Sequence, residues 1–149
     1  MEAPKTRMNE RSFPAHAVIA TALLAVFVLR VFAQILQFYH PTSALPPFAA
    51  WESGALPYGL LVTAQAVIIL VSAGLIAGLF KQRLRPNRKV GLVLLVLASF
   101  YLAGAIFRLL AGYTFLSDVP FFSDHLPAYF HIVLAGLVLT FGDFYRYGY

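Results

Sequence analysis

Four long apolar runs, separated by polar or proline-rich breaks, dominate the chain. The first extends from about Pro14 to Tyr39 and the second from about Pro57 to Phe80. The third covers about Lys89 to Tyr113 and the fourth about Pro127 to Tyr145. A helix that crosses the hydrocarbon core of a bilayer needs about 20 mostly apolar residues, and each run meets that length. The prolines agree with these borders. Pro14, Pro57 and Pro127 stand near helix starts, where a missing N–H leaves no bond unmade. Pro41, Pro46, Pro47, Pro86 and Pro120 fall in the connections and Pro4 in the N-terminal tail. Ser12, Asn87 and Asp124 are the expected N-caps. The pattern predicts an all-α protein, an up-down bundle of four transmembrane helices forming a single domain over 1–149.

Composition strengthens this reading. Apolar residues make up 60% of the chain, charged residues 11%, and the mean hydropathy is +0.78. A soluble domain of this length carries roughly 25% charged residues. There is no cysteine. This excludes disulfides, thiolate metal sites and iron–sulfur clusters.

The net charge of +5 does not point to nucleic acid, because its positions explain it. Lys5, Arg7 and Arg11 precede the first run, Lys81, Arg83, Arg85, Arg88 and Lys89 lie between the second and third, and Arg146 follows the fourth. The other two connections contain no Lys or Arg and carry Glu52, Asp118 and Asp124. Basic loops stay in the cytoplasm, so both termini are expected there, in the cytoplasmic membrane of the cell. The basic ends also suit anionic membrane lipids. Aromatic residues flank the runs, with Phe144, Tyr145, Tyr147 and Tyr149 at one interface and Phe121, Phe122 and Tyr129 at the other. A basic stretch before an apolar run also fits a secretory signal, with Val31-Phe32-Ala33 as the cleavage step. Arg30 directly before that step, and apolar character continuing to Tyr39, favour a retained span.

Polar residues inside the runs are the most informative feature, since each is costly in a bilayer. Arg30, Gln34 and Gln37 share one helix face by their spacing of four and three. Gln65, Arg108 and His131 add one residue from each remaining run. Given the expected topology, all six lie within roughly 15 Å of the outer boundary, at about 1.5 Å per residue. Two arginines without an intramembrane carboxylate need partners. Glu52, Asp118 and Asp124 on the outer connections could supply them, with Arg108 also shallow enough to snorkel outward. Otherwise the six line a pocket for an amphipathic ligand, such as a lipid, a quinone or an organic anion. The arginines would grip its polar end, and Gln34, Gln37, Gln65 and His131 would orient it.

The outer connections read as lids. His40, Trp51 and Glu52 lie in or beside the first, and Asp118, Asp124 and His125 in the second. No HExxH-like spacing is present, so no metal ligand is assigned. No cofactor or catalytic residue is specified either: His131 faces no second histidine, His16 lying at the far end of the first run, and no nucleophile elbow exists. An enzyme using outer-face histidines and carboxylates, with or without a metal, is the first alternative. A structural or accessory subunit is the second. Gly74 and Gly78 have small-xxx-small spacing, beside Ala73 and Ala77, and are expected to pack within the bundle or to form a homo- or hetero-oligomer contact. Ala103-Gly104 and Ala135-Gly136 offer similar close approaches. The apolar inner halves offer no lining for a channel.

The four-run layout is similar to that of the DoxX-like proteins and the vitamin K epoxide reductases. The latter need cysteines, which are absent here, and no motif of the former is present. No family is assigned on this basis.

Overall fold

The computed structural model describes residues 12–148, with side chains from Ala15 onward. Pro4, Lys5, Arg7, Arg11 and the side chain of Ser12 lie outside the described residues, as does Tyr149. The described residues form five α-helices: α1 (Ser12–Tyr39), α2 (Tyr58–Phe80), α3 (Arg88–Tyr113), the short α4 (Pro120–Ser123) and α5 (His125–Tyr147). A 3-10 turn over Phe48–Trp51 interrupts the first connection, and no strand occurs among the described residues. α1, α2, α3 and α5 are each long and apolar enough to cross a membrane. Their bounds lie within about two residues of the sequence expectation, the usual scatter of helix ends. Large apolar side chains point outward along them, with Phe100 76% and Leu70 72% exposed. Such surface is an aggregation hazard in water and a match for lipid. The architecture is that of a transmembrane helical bundle.

The ends follow local chemistry. Asn87 caps α3, its side-chain oxygen accepting from the N–H groups of Lys89 and Val90 at 3.1 and 3.3 Å. Asp124 corrects the sequence expectation: it holds the N-cap position of α5 but makes no side-chain capping bond. The chain reaches it directly from α4 with φ −77° and ψ 88°, not the β-region backbone typical of a cap. Pro120 opens α4 instead of lying in an irregular loop.

Helix contacts run in the order α2, α1, α5, α3. α1 faces its neighbours with Ala17, Ala20, Phe27, Arg30, Val31, Gln34 and Gln37, residues that recur at three-, four- and seven-residue spacings on one helix face. Ala17 and Ala20 join Ile76, Leu79, Leu137, Phe141 and Phe144 in one apolar core. α3 and α5 make the closest contact. Small residues recur every seven positions on both, at Gly91, Ala98, Ala105 and Gly112 and at Ala128, Ala135 and Gly142, and all are buried. That spacing keeps one face turned to the partner and lets backbones approach. A Cβ on Gly91 would stand 2.4 Å from the Arg146 nitrogen, and one on Gly112 would stand 2.0 Å from the Phe122 carbonyl oxygen.

The expected close approach at Gly74 and at Ala103-Gly104 is not made within the bundle. A Cβ on Gly74 or Gly104 would meet nothing within 4 Å, and Gly78 is covered by the Leu84 side chain of the following connection. α2 and α3 share no extensive contact. The bundle is therefore open between them.

Candidate functional site: a polar cavity beneath two loops

The connections 40–57 and 114–124 both contribute residues to one cavity, of about 380 Å³. Residues of all four long helices line it, among them Arg30, Gln65, Tyr101, Arg108, Phe130 and His131, and Glu52 and Phe121 come from the connections.

Arg30 is buried and donates twice, from Nη1 to Gln34 Oε1 at 2.7 Å and from Nη2 to the Trp51 carbonyl oxygen at 2.6 Å. Gln34 Oε1 also accepts from Gln65 Nε2 at 3.1 Å. One oxygen thus gathers α1 and α2, and Arg30 ties both to the loop. Trp51 is itself buried, donates its indole N–H to the Pro46 carbonyl at 2.9 Å, and stacks on Phe130 with ring centroids 6.4 Å apart. The Arg30 guanidinium carbon also sits 5.6 Å from the Phe130 ring centre. On the far side, Arg108 Nε donates to the Phe121 carbonyl at 2.9 Å, and its guanidinium lies 4.0 Å over the Phe121 ring. Such cation–π contacts strengthen when water is excluded.

Both arginines are thus held by loop backbone and aromatic faces. Neither forms an ion pair with Glu52, Asp118 or Asp124; the ion pair among the described residues joins His16 and Asp143 at 2.8 Å. Carboxylate pairing is therefore not how this structure satisfies Arg30 and Arg108. A main-chain oxygen offers a full acceptor without a second buried charge, which limits desolvation.

Some polar atoms remain unmatched. Arg30 Nε, Gln34 Nε2, Gln65 Oε1 and Arg108 Nη2 are buried without a hydrogen-bond partner. Three of their four residues, Arg30, Gln65 and Arg108, line the cavity. A buried polar atom without a partner costs roughly 1–3 kcal/mol, so the fold carries an uncompensated polar cost beside the cavity.

The remaining sequence candidates divide. His131 lines the cavity, its Nδ1 hydrogen-bonded to the Tyr101 hydroxyl. Gln37 does not reach the cavity; its amide brackets Thr42, donating to the carbonyl at 3.2 Å and accepting from the N–H at 3.0 Å. It anchors the start of the loop. His40 and Asp118 are exposed. His125 stacks on Tyr113 at a centroid distance of 3.9 Å, and its Nε2 is buried and unpartnered. Asp124 is part-buried at the α4–α5 junction. No three His, Asp or Glu residues come together to hold a metal ion among the described residues.

Tyr101 and Phe130 escaped the sequence reading. Tyr101 precedes Arg108 by seven positions, two helical turns, so the same-face rule that joined Arg30 and Gln34 would have found it. Phe130 carried no signal beyond its place beside His131.

Comparison with protein-family models, curated proteins and solved structures found no match. The function must be argued from the site.

Proposed function

We propose that the chain is a single-domain protein of the cytoplasmic membrane, an up-down four-helix bundle with cytoplasmic termini. Its outer cavity binds the polar end of an amphipathic ligand: a lipid, a quinone or an organic anion. Contacts at matching ends support the helix order. Leu95 meets Gly142, Leu23 meets Gly136, and Phe38 packs on Tyr58 at 4.4 Å between ring centroids. The lysine and arginine distribution supports the orientation.

One observation carries the ligand reading. Two buried guanidinium groups on different helices line the same cavity, each keeps an unpartnered donor atom, and neither is paired with a carboxylate. Charged residues inside membrane spans, held by backbone carbonyls as these two are, commonly mark ligand and ion sites. The cavity volume lies within the roughly 300–1,000 Å³ of small-molecule sites. Arg30 and Arg108 would grip the head, Gln65 and His131 would orient it, and Trp51 with Glu52 would cover it. Gln34 acts by holding Arg30 and Gln65.

The test is native mass spectrometry on detergent-purified wild type beside Arg30→Leu and Arg108→Leu. Wild type is expected to carry one discrete small molecule that both folded variants lose. An empty wild type, with ligand absent also after mild extraction, rejects the reading.

A second reading rests on the Tyr101–His131 hydrogen bond inside the cavity. A phenol–imidazole pair can pass a proton to a bound head group. In that enzyme reading the histidine works with Tyr101, not with a loop carboxylate. Turnover of the extracted ligand by wild type, lost in Tyr101→Phe with binding retained, would distinguish it.

A further inference from the structure

A second hollow of about 460 Å³ lies between α2 and α3. Its floor is α5, with Leu134, Leu137, Val138 and Phe141, and α2 lines it with Val67, Val71 and Leu75. Ser72 and Tyr101 are its polar members. Ile68, Tyr101 and Leu134 line both this groove and the polar cavity, so the two are continuous. From Leu134 to Phe141 the floor descends about 10 Å along α5. α2 and α3 do not close over it, and Val67 and Val71 are 54% and 57% exposed on its rim. The groove therefore opens sideways, toward lipid.

We infer that cavity and groove form one site for a single-chain amphiphile with a monoanionic head, a long-chain carboxylate, entering from the bilayer between α2 and α3. This rests on the ligand reading above and specifies the ligand. Three features select the class. First, the groove is apolar along its length and joined to the head site, so one molecule fills both. Second, it is a single channel whose floor runs about 10 Å along α5, room for the upper part of one chain. A two-chain phospholipid would have to leave one chain outside. Third, the charges lining the cavity are two guanidinium groups and the Glu52 carboxylate. A guanidinium takes a carboxylate in a bidentate fork, so a single carboxylate is the head group that this lining fits.

The experiment is a titration of delipidated protein in nanodiscs with hexanoate, dodecanoate and hexadecanoate, read by native mass spectrometry. Wild type, Val71→Trp and Arg108→Gln are compared, with circular dichroism checking the fold. Val71 is lipid-exposed, so a bulky side chain there fills the groove mouth without entering the core. In wild type, occupancy is expected to rise with chain length to one molecule per chain. Val71→Trp is expected to lose roughly tenfold in hexadecanoate affinity while hexanoate is unchanged, and Arg108→Gln to weaken every member about tenfold. Equal hexadecanoate binding by Val71→Trp and wild type overturns the groove assignment and leaves the head site standing. Hexadecanoate failing to bind, while decyl-ubiquinone or a phospholipid binds in an Arg108-dependent way, overturns the carboxylate class alone. Binding of every probe unaffected by Arg108→Gln overturns this inference and the ligand reading together.

Discussion

Arg30 Nη2 meets the carbonyl oxygen of Trp51 at 2.6 Å, across 21 residues of sequence. This bond joins the middle of a span to the loop above it, and the same guanidinium holds Gln34. The lid is therefore an ordered part of the site. Replacing Arg30 strands both acceptors. Arg30→Leu is expected to raise hydrogen exchange across residues 46–53 and to lower stability by about 1–3 kcal/mol. Arg30→Lys is expected to recover only part, since an ammonium lacks the planar fork that serves two acceptors. Exchange mass spectrometry with an unfolding assay in mixed micelles measures both.

Gln34 and Gln65 differ in cost. Gln34 Oε1 accepts from two residues, whereas Gln65 makes one bond and keeps an unpartnered oxygen. Gln34→Leu is expected to destabilise more than Gln65→Leu. Their coupling in a double-mutant cycle should fall near 0.6 kcal/mol and below about 1.7, the range of side-chain hydrogen bonds within membranes. A reversed order would mean that Gln65 has a ligand or water partner even in the isolated protein.

Glycine positions give a packing test. Gly112→Ala pushes a methyl group into the Phe122 carbonyl, where backbone must move, and is expected to cost about 1–3 kcal/mol. Gly74→Ala meets open space and is expected to be within about 0.5 kcal/mol of wild type in a monomeric state. A large loss at Gly74 in lipid, with a change in oligomeric mass, would place a subunit contact there.

The absence of cysteine makes topology directly measurable. Ser117→Cys is expected to react with a membrane-impermeant maleimide on intact cells, and Gln82→Cys only after permeabilisation. Reaction in the opposite sense would invert the bundle and move the cavity to the cytoplasmic side.

Much of this was legible in the residues. The spans follow from apolar run length, and the face shared by Arg30 and Gln34 follows from helical spacing. Gln37 shows the limit of that spacing: it shares the face, but one turn nearer the end its amide finds loop backbone first. The partners of the arginines were not legible, because a carbonyl oxygen belongs to every residue and leaves no mark in sequence. Glu52, Asp118 and Asp124 are the partners that the sequence suggests; the fold uses the Trp51 and Phe121 main chain instead. The seven-residue recurrence of Gly91, Ala98, Ala105 and Gly112 was present but overlooked in favour of the adjacent small pairs. The slot between α2 and α3 arises from what those helices do not touch, which no local pattern encodes.

A ligand head group is expected to engage the Arg30 and Arg108 guanidinium groups where they line the cavity. Nitrogen-15 NMR of the arginine side chains, on protein purified with its native lipids and again after delipidation, tests this most directly. The Arg30 and Arg108 guanidinium signals are expected to shift between the lipid-loaded and the delipidated protein while the bundle stays folded. Identical Arg30 and Arg108 signals in the two preparations would contradict the claim and leave the arginines as braces for the loops.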